Sequence, residues 1–297
     1  MHPVKRPHLT RAQVPLTREV GVVNEWGDKV TSNIPCERAL TVYVDKRELV
    51  TLMTLGGHAE LLVLGFLRNQ RLVRSVDEVE SITVDWEVGA AAVKTRRAIE
   101  RIEERTATRV VTTGCGQGSV FGALMDDVDS IVLPSASLSQ AELYCLVNAI
   151  RVQDSIYKEA GSVHGCALFR GDGMRVFIED VGRHNAIDTI AGWMWMNDET
   201  PVLTVARSGN ESGVSGADKV LYTTGRLTSE MVIKAAQMGI PIVVSRSGIT
   251  EMGLAVATRL GLCAIGRATN KRFLCYSATQ RLQLQPELAG APLCAVA

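Results

Sequence analysis

The stretch KVLYTTGRLTSEMVIKAAQMGIPIVVS (219–245) reads in three pieces. Residues 219–224 are an apolar run of strand length. Residues 225–239 carry apolar side chains at helical spacing and stop on Gly239, and residues 240–245 form a second apolar strand. Strand, helix and strand in succession predict an α/β layer. The flanks continue the alternation: VLTVA (202–206) as a strand, TEMGLAVATRLG (250–261) as a helix between Thr250 and Gly261, then LCAIG (262–266) and RFLCYS (272–277) as strands. A regular alternation of this kind argues for a partly parallel sheet.

Upstream, HGCALFRGDGMRVFIED (164–180) places two apolar stretches around a Gly-Asp-Gly turn and predicts a hairpin. GRHNAIDTIAGWMWM (182–196) reads as a helix. So does 138–161, with Ser137 or Ser139 as its N-cap and Gly161 closing it. Nearer the start, 39–45 and 49–54 predict a hairpin, 58–70 a helix, 81–93 one strand and 94–109 a short charged helix. Residues 1–20 hold Pro3, Pro7 and Pro15 and read as a flexible N-terminal arm. The expected division is that arm, a 21–136 region ending in a glycine-rich loop, a 137–282 α/β domain, and a 283–297 tail in which Cys294 is incidental.

The chain of 297 residues is 46% apolar and 22% charged, the balance of a globular protein with a sizeable core. Its 32 basic residues match its 32 acidic ones, so no global field draws it to nucleic acid polymers or membranes. Locally the balance tips. Between Arg246 and Arg281 six basic residues (Arg246, Arg259, Arg267, Lys271, Arg272, Arg281) face one acid, Glu251. Such an edge suits a phosphate-bearing ligand, or is a solvated basic face. The seven cysteines include no C-x-x-C spacing, which argues against a disulfide framework and a zinc ribbon. With no apolar leader and no run long enough to span a bilayer, a reduced, cytoplasmic setting is expected.

Three clusters carry chemistry. VTTGCGQGSVFG (111–122) sets Cys115 among Gly114, Gly116 and Gly118. Exposed N–H groups in such a loop lower a thiol's pKa and favour a nucleophilic thiolate. The plainer alternative is a tight turn with a core-facing thiol. EDVGRHNAID (179–188) offers Arg183 and His184 at a predicted helix start, where phosphate is attracted or where a histidine merely caps. TTGRLTSEM (223–231) repeats the pattern with Gly225 and Arg226 at a strand-to-helix junction, the usual ligand edge of an open α/β sheet.

EDVGRHNAIDTIAG (179–192), GRLTSEMVIKAAQMGIPIVVS (225–245), LGLCAIGRATNKRFLCY (260–276) and TLGGHAELLVLGFL (54–67) resemble the formate dehydrogenase accessory sulfurtransferase (FdhD) family over nearly the whole chain. The resemblance implies a cytidine-deaminase-like α/β main domain with a smaller N-terminal α+β region, in a homodimer. It implies a persulfide carrier, loaded by a cysteine desulfurase, that passes sulfur to the molybdenum bis(molybdopterin guanine dinucleotide) cofactor of apo formate dehydrogenase. Cys115 matches the first cysteine of the family's C-G-x-C-G loop. Gly118 stands where the second belongs, leaving Cys115 to act alone or to borrow a thiol such as Cys166. The resemblance assigns cofactor binding to Arg267, Ala268, Thr269, Asn270, Lys271 and Arg272, with Arg183, His184, Gly225 and Arg226 as further contributors. Pro35-Cys36-Glu37-Arg38 lacks the deaminase zinc spacing, so no metal is expected. A cofactor-binding chaperone without sulfur transfer is the alternative.

Overall fold

The crossover predicted from 219–245 is present in the computed structural model, which describes residues 5–99, 128–171, 173–197 and 218–290. Strand β11 (Lys219–Thr223) leads through helix α5 (Ser229–Gln237) to β12 (Ile242–Ser245), and helix α6 (Glu251–Leu260) leads on to β13 (Cys263–Thr269). These three strands pair in parallel. Every residue of β11 and β12 is buried, as expected for strands covered on both faces. Helices α5 and α6 make the two parallel crossovers and pack against each other. Helix α2 (Gln140–Val152) packs Leu143, Leu146 and Val147 against a core that includes Phe169, Tyr222, Val244 and Ile265. With β9 (His164–Arg170), β10 (Gly173–Asp180) and β14 (Arg272–Cys275), the six-stranded order is β10-β9-β11-β12-β13-β14.

A second, five-stranded sheet has the order β1-β6-β7-β4-β5. Its strands are β1 (His8–Leu9), β4 (Arg38–Val44), β5 (Arg47–Thr54), β6 (Val79–Asp85) and β7 (Ala90–Thr95). Leu40, Val42 and Val44 alternate inward along β4. Helix α1 (Ala59–Asn69) adds Leu62, Phe66 and Leu67 to the same core, each burial stabilising by roughly 1.5–3 kcal/mol. Helix α4 (Arg183–Met196) lies against α1 at two glycines. A Cβ on Gly65 would sit 1.7 Å from the Asp188 carbonyl oxygen, and one on Gly192 would sit 2.0 Å from that of Leu61. Only glycine permits that approach.

The described residues fall into two compact units, one holding the five-stranded sheet and the other most of the six-stranded sheet. Residues 154–165 and 178–196 group with the N-terminal unit, so the units interleave along the chain instead of meeting near residue 136.

Several expectations change. Residues 5–20, the described part of the expected arm, are tied down: His8 and Leu9 pair with Ser81 and Ile82, and the buried Glu60 carboxylate accepts from Thr10 Oγ1 at 2.6 Å and Ala12 N at 2.7 Å. A hairpin of β2 (Thr17–Val23) and β3 (Lys29–Pro35) follows, which no sequence signal above announced. The single strand over 81–93 is two antiparallel strands, β6 and β7, and Lys94 and Thr95 belong to β7, not to a helix. The rest of that predicted helix past 99, and the 202–206 strand, lie outside the described residues.

The helix over 138–161 breaks after Val152 and restarts as α3 (Ile156–Ala160), because Ser155 caps anew by accepting from Lys158 N. The helix expected from Gly225 begins at Ser229. The tail is anchored through Gln285. Its β15 (Leu282–Gln283) pairs with β8 (Leu138–Ser139), and Gln285 exchanges hydrogen bonds with Ala141 N and Gln140 Oε1.

Candidate functional site

Parallel β11, β12 and β13 run their carboxyl ends to one edge, and an arginine stands near each: Arg226 three residues after Thr223, Arg246 directly after Ser245, and Arg267 within β13, on the bulge two residues past Ile265, the last residue paired with β12. All three are exposed. Adjacent strands lie about 4.8 Å apart, so strand spacing alone brings three guanidinium-bearing residues to one edge.

The loops that carry them are latched to each other. Thr223 Oγ1 accepts from Gly225 N at 3.1 Å. Ser245 Oγ donates to Gly225 O at 2.7 Å and accepts from Ser247 N at 3.0 Å. Arg246 N donates to Thr223 O, Leu227 N to Gly248 O, and Arg267 N to Ser247 O at 2.6 Å. Gly253 lets α6 approach, since a Cβ there would meet Leu227 O at 2.4 Å. Arg267 and Asn270 both hold a left-handed backbone (φ 52°) where the β13–β14 connection turns. An edge fixed in this way holds its charges without paying for reordering when an anion arrives.

Two further features favour an anion. Thr228, the N-cap of α5, makes no side-chain cap bond, and its buried Oγ1 finds no partner among the described residues. In α6, by contrast, Thr250 Oγ1 accepts from Gly253 N. The N-terminus of α5 therefore keeps its donors beside Arg226. Neither Arg226 nor Arg267 makes a side-chain hydrogen bond or ion pair among the described residues. Burial pushes the Tyr222 phenol up to about 12, with the charge of Arg246 opposing the shift, so the phenol is neutral and adds no competing anion.

The six-residue segment assigned to the cofactor divides. Arg267, Thr269, Asn270 and Arg272 are exposed, whereas Ala268 is buried in the core. Lys271 is committed elsewhere: its Nζ donates to Leu288 O at 2.8 Å and lies 5.6 Å from the Tyr144 ring centroid. Gly225 is buried and shapes the loop through its N–H and carbonyl. Arg246, counted above only within a basic stretch, belongs to this edge. The signal for it was an arginine directly after an apolar strand.

Arg183 and His184 belong to the other unit and are 7% and 3% exposed in the first turn of α4. Their neighbour Asp180 is 2% exposed and organises that region. Its carboxylate accepts from Thr54 Oγ1, Leu55 N, Gly182 N and Asn185 Nδ2 at 2.5–3.1 Å. Burial nevertheless raises its pKa, against the pull of these bonds.

Cys115 lies outside the described residues. Cys166, named as a thiol that Cys115 could borrow if it does not act alone, is fully buried and donates to Thr223 Oγ1 at 3.3 Å. It braces the edge from below and offers no surface to a donor protein.

Residues 35–283 match the model of the FdhD/NarQ family. The chain is 29% identical to the sulfur carrier protein FdhD of Bacillus pumilus over 86% of this chain and 90% of that one. It is 28% identical to the protein of the same name from Bacillus subtilis over 89% and 94%. Its fold is similar to the crystal structure of a putative formate dehydrogenase accessory protein from Desulfotalea psychrophila, with a TM-score of 0.68 and 25% identity over 90% of this chain and all of that one.

Proposed function

From the chain's membership of the FdhD/NarQ family, we propose that it is a sulfur carrier required by a formate dehydrogenase. In this reading Cys115 takes sulfane sulfur from a cysteine desulfurase. Its thiolate attacks the terminal sulfur of the donor's persulfide, a new S–S bond forms on Cys115, and the donor cysteine leaves as thiolate. The sulfur then passes to the molybdenum bis(molybdopterin guanine dinucleotide) cofactor, the cargo, before this enters the apo dehydrogenase. The chain acts in the cytoplasm as a homodimer, and the six-stranded unit is the cytidine-deaminase-like core.

The observation that carries the reading is the latched edge with an arginine near the carboxyl end of the paired run in each of three parallel strands. Guanine dinucleotides carry pyrophosphates, and guanidinium groups pair with phosphate oxygens in bidentate fashion. Arg226, Arg246 and Arg267 hold the phosphates, the N-terminus of α5 adds backbone donors, and Arg272 extends the positive edge along β14. The thiol supplies chemistry and the edge supplies affinity.

The two roles separate by mutation. Cys115→Ala is expected to bind GDP as the wild type does and to leave apo formate dehydrogenase inactive. Arg267→Glu is expected to weaken GDP. An alanine variant that still activates the dehydrogenase would replace this reading with the cofactor-binding chaperone, for which Gly118 in place of a second loop cysteine already argues.

A further inference from the structure

We propose that Cys263 and Cys275 form a redox pair that closes to an internal disulfide under a two-electron oxidant and reopens with a thiol reductant. The proposal rests on geometry and does not depend on the sulfur-carrier reading.

β13 and β14 are antiparallel, with Ile265 opposite Cys275. Cys263 stands two residues before Ile265, so its side chain and that of Cys275 share one face of the sheet as diagonal neighbours. Their sulfurs are 3.7 Å apart, and neither is in a disulfide.

The two thiols are unequal in ways that give each a role. Cys263 is fully buried, whereas Cys275 is partly exposed, so a dissolved oxidant meets Cys275 first. The hydrogen bond between the sulfurs favours the thiolate on Cys275 and the thiol on Cys263, and Cys275 is lowered while Cys263 is raised. The sulfur of Cys275 also lies 3.6 Å from Ser277 O. Arg281, anchored by Gly261 O and Pro134 O, places a positive charge that favours ionisation of Cys263 when its turn comes.

With a peroxide as oxidant the chemistry balances. The Cys275 thiolate attacks one peroxide oxygen, the O–O bond breaks, and hydroxide leaves to become water. Cys275 is then a sulfenic acid. The sulfur of Cys263 attacks that of Cys275, the S–S bond forms, and the sulfenic hydroxyl leaves as water with the proton of Cys263. The two thiols have lost two electrons and the peroxide has gained them.

Closure requires movement. A disulfide needs its sulfurs about 2.05 Å apart and its Cα atoms within about 4.4–6.8 Å, while diagonal positions on antiparallel strands lie about 7–8 Å apart. The edge strand β14 must therefore shift towards β13, and the bond it makes is strained and readily reduced. β14 starts at Arg272, at the end of the turn that follows Arg267, so oxidation displaces the exposed turn of the arginine edge.

The test uses the full, reduced chain treated with an equimolar amount of hydrogen peroxide, then alkylated and mapped without reduction. The expected result is a cross-linked peptide pair carrying Cys263 and Cys275, absent after thiol reduction. Cys263→Ala is expected to accumulate sulfenic acid at Cys275, trapped by dimedone, and Cys275→Ser to leave Cys263 unmodified. Separate alkylation of Cys263 and Cys275 in the oxidised wild type overturns the proposal. Cross-linking of Cys275 to any other cysteine, or dimedone capture at Cys263 in the serine variant, does the same.

Discussion

Two of the chain's three Gly-Arg pairs, Gly182-Arg183 and Gly225-Arg226, stand just before a helix, and the structure gives them opposite fates. After Gly182 the helix begins at once, Arg183 is buried, and the nearby Asp180 is satisfied by four donors from its own unit. After Gly225 the chain runs on for three residues before α5, and Arg226 stays exposed at the carboxyl edge of a parallel sheet. A motif of glycine, arginine and helix start does not define an anion site. Position relative to the ends of parallel strands does.

The largest effect that would break this contrast is on folding. Asp180→Ala removes one acceptor and strands four donors in a buried region, which should cost roughly 3–5 kcal/mol by denaturant melts. A loss below about 1 kcal/mol would show that the cluster is not structural. At the other Gly-Arg pair the effect should fall on ligand. Arg226→Glu and Arg267→Glu should each weaken GDP by about 10–100-fold in calorimetry, from the loss of a charge-assisted bond of about 1.5–3 kcal/mol. Their melting curves should stay within about 0.5 kcal/mol of wild type, because the side chains removed are exposed and make no hydrogen bond or ion pair among the described residues. Equal damage to stability from Arg183→Ala and Arg226→Ala would erase the distinction.

A smaller test is electrostatic. Burial raises the pKa of Asp180 above the ordinary 3.8, so its native state holds the proton more tightly than the unfolded chain. The associated stability is fully present below pH 3.8 and is lost as pH rises through the raised native value. The stability difference between wild type and Asp180→Asn should narrow over that window in melts run at a series of pH values. A difference that widens with rising pH contradicts the assignment.

The same contrast explains what the sequence disclosed. Helices with strong stop and start residues were legible: α5 ends before Gly239, and α6 is bounded by Thr250 and Gly261. Strands buried on one or both faces were legible from their apolar runs, as in β4, β11 and β12. The β2–β3 hairpin was not, because most of its side chains are exposed and no period-2 pattern is written into it. The turn between β6 and β7 hid inside Trp86-Glu87-Val88-Gly89, where apolar residues masked it. Within the site, Arg267 could be found from charge, but the commitment of Lys271 to Leu288 could not. That bond joins residues through the anchored tail, and nothing local encodes it.

The central claim is that Cys115 carries a sulfane sulfur. Intact mass measurement of the full chain, after incubation with a cysteine desulfurase and cysteine, tests it most directly. The account predicts a gain of one sulfur atom in the wild type, reversed by a thiol reductant and absent from Cys115→Ala. No gain in the wild type, or an equal gain in the variant, would contradict it.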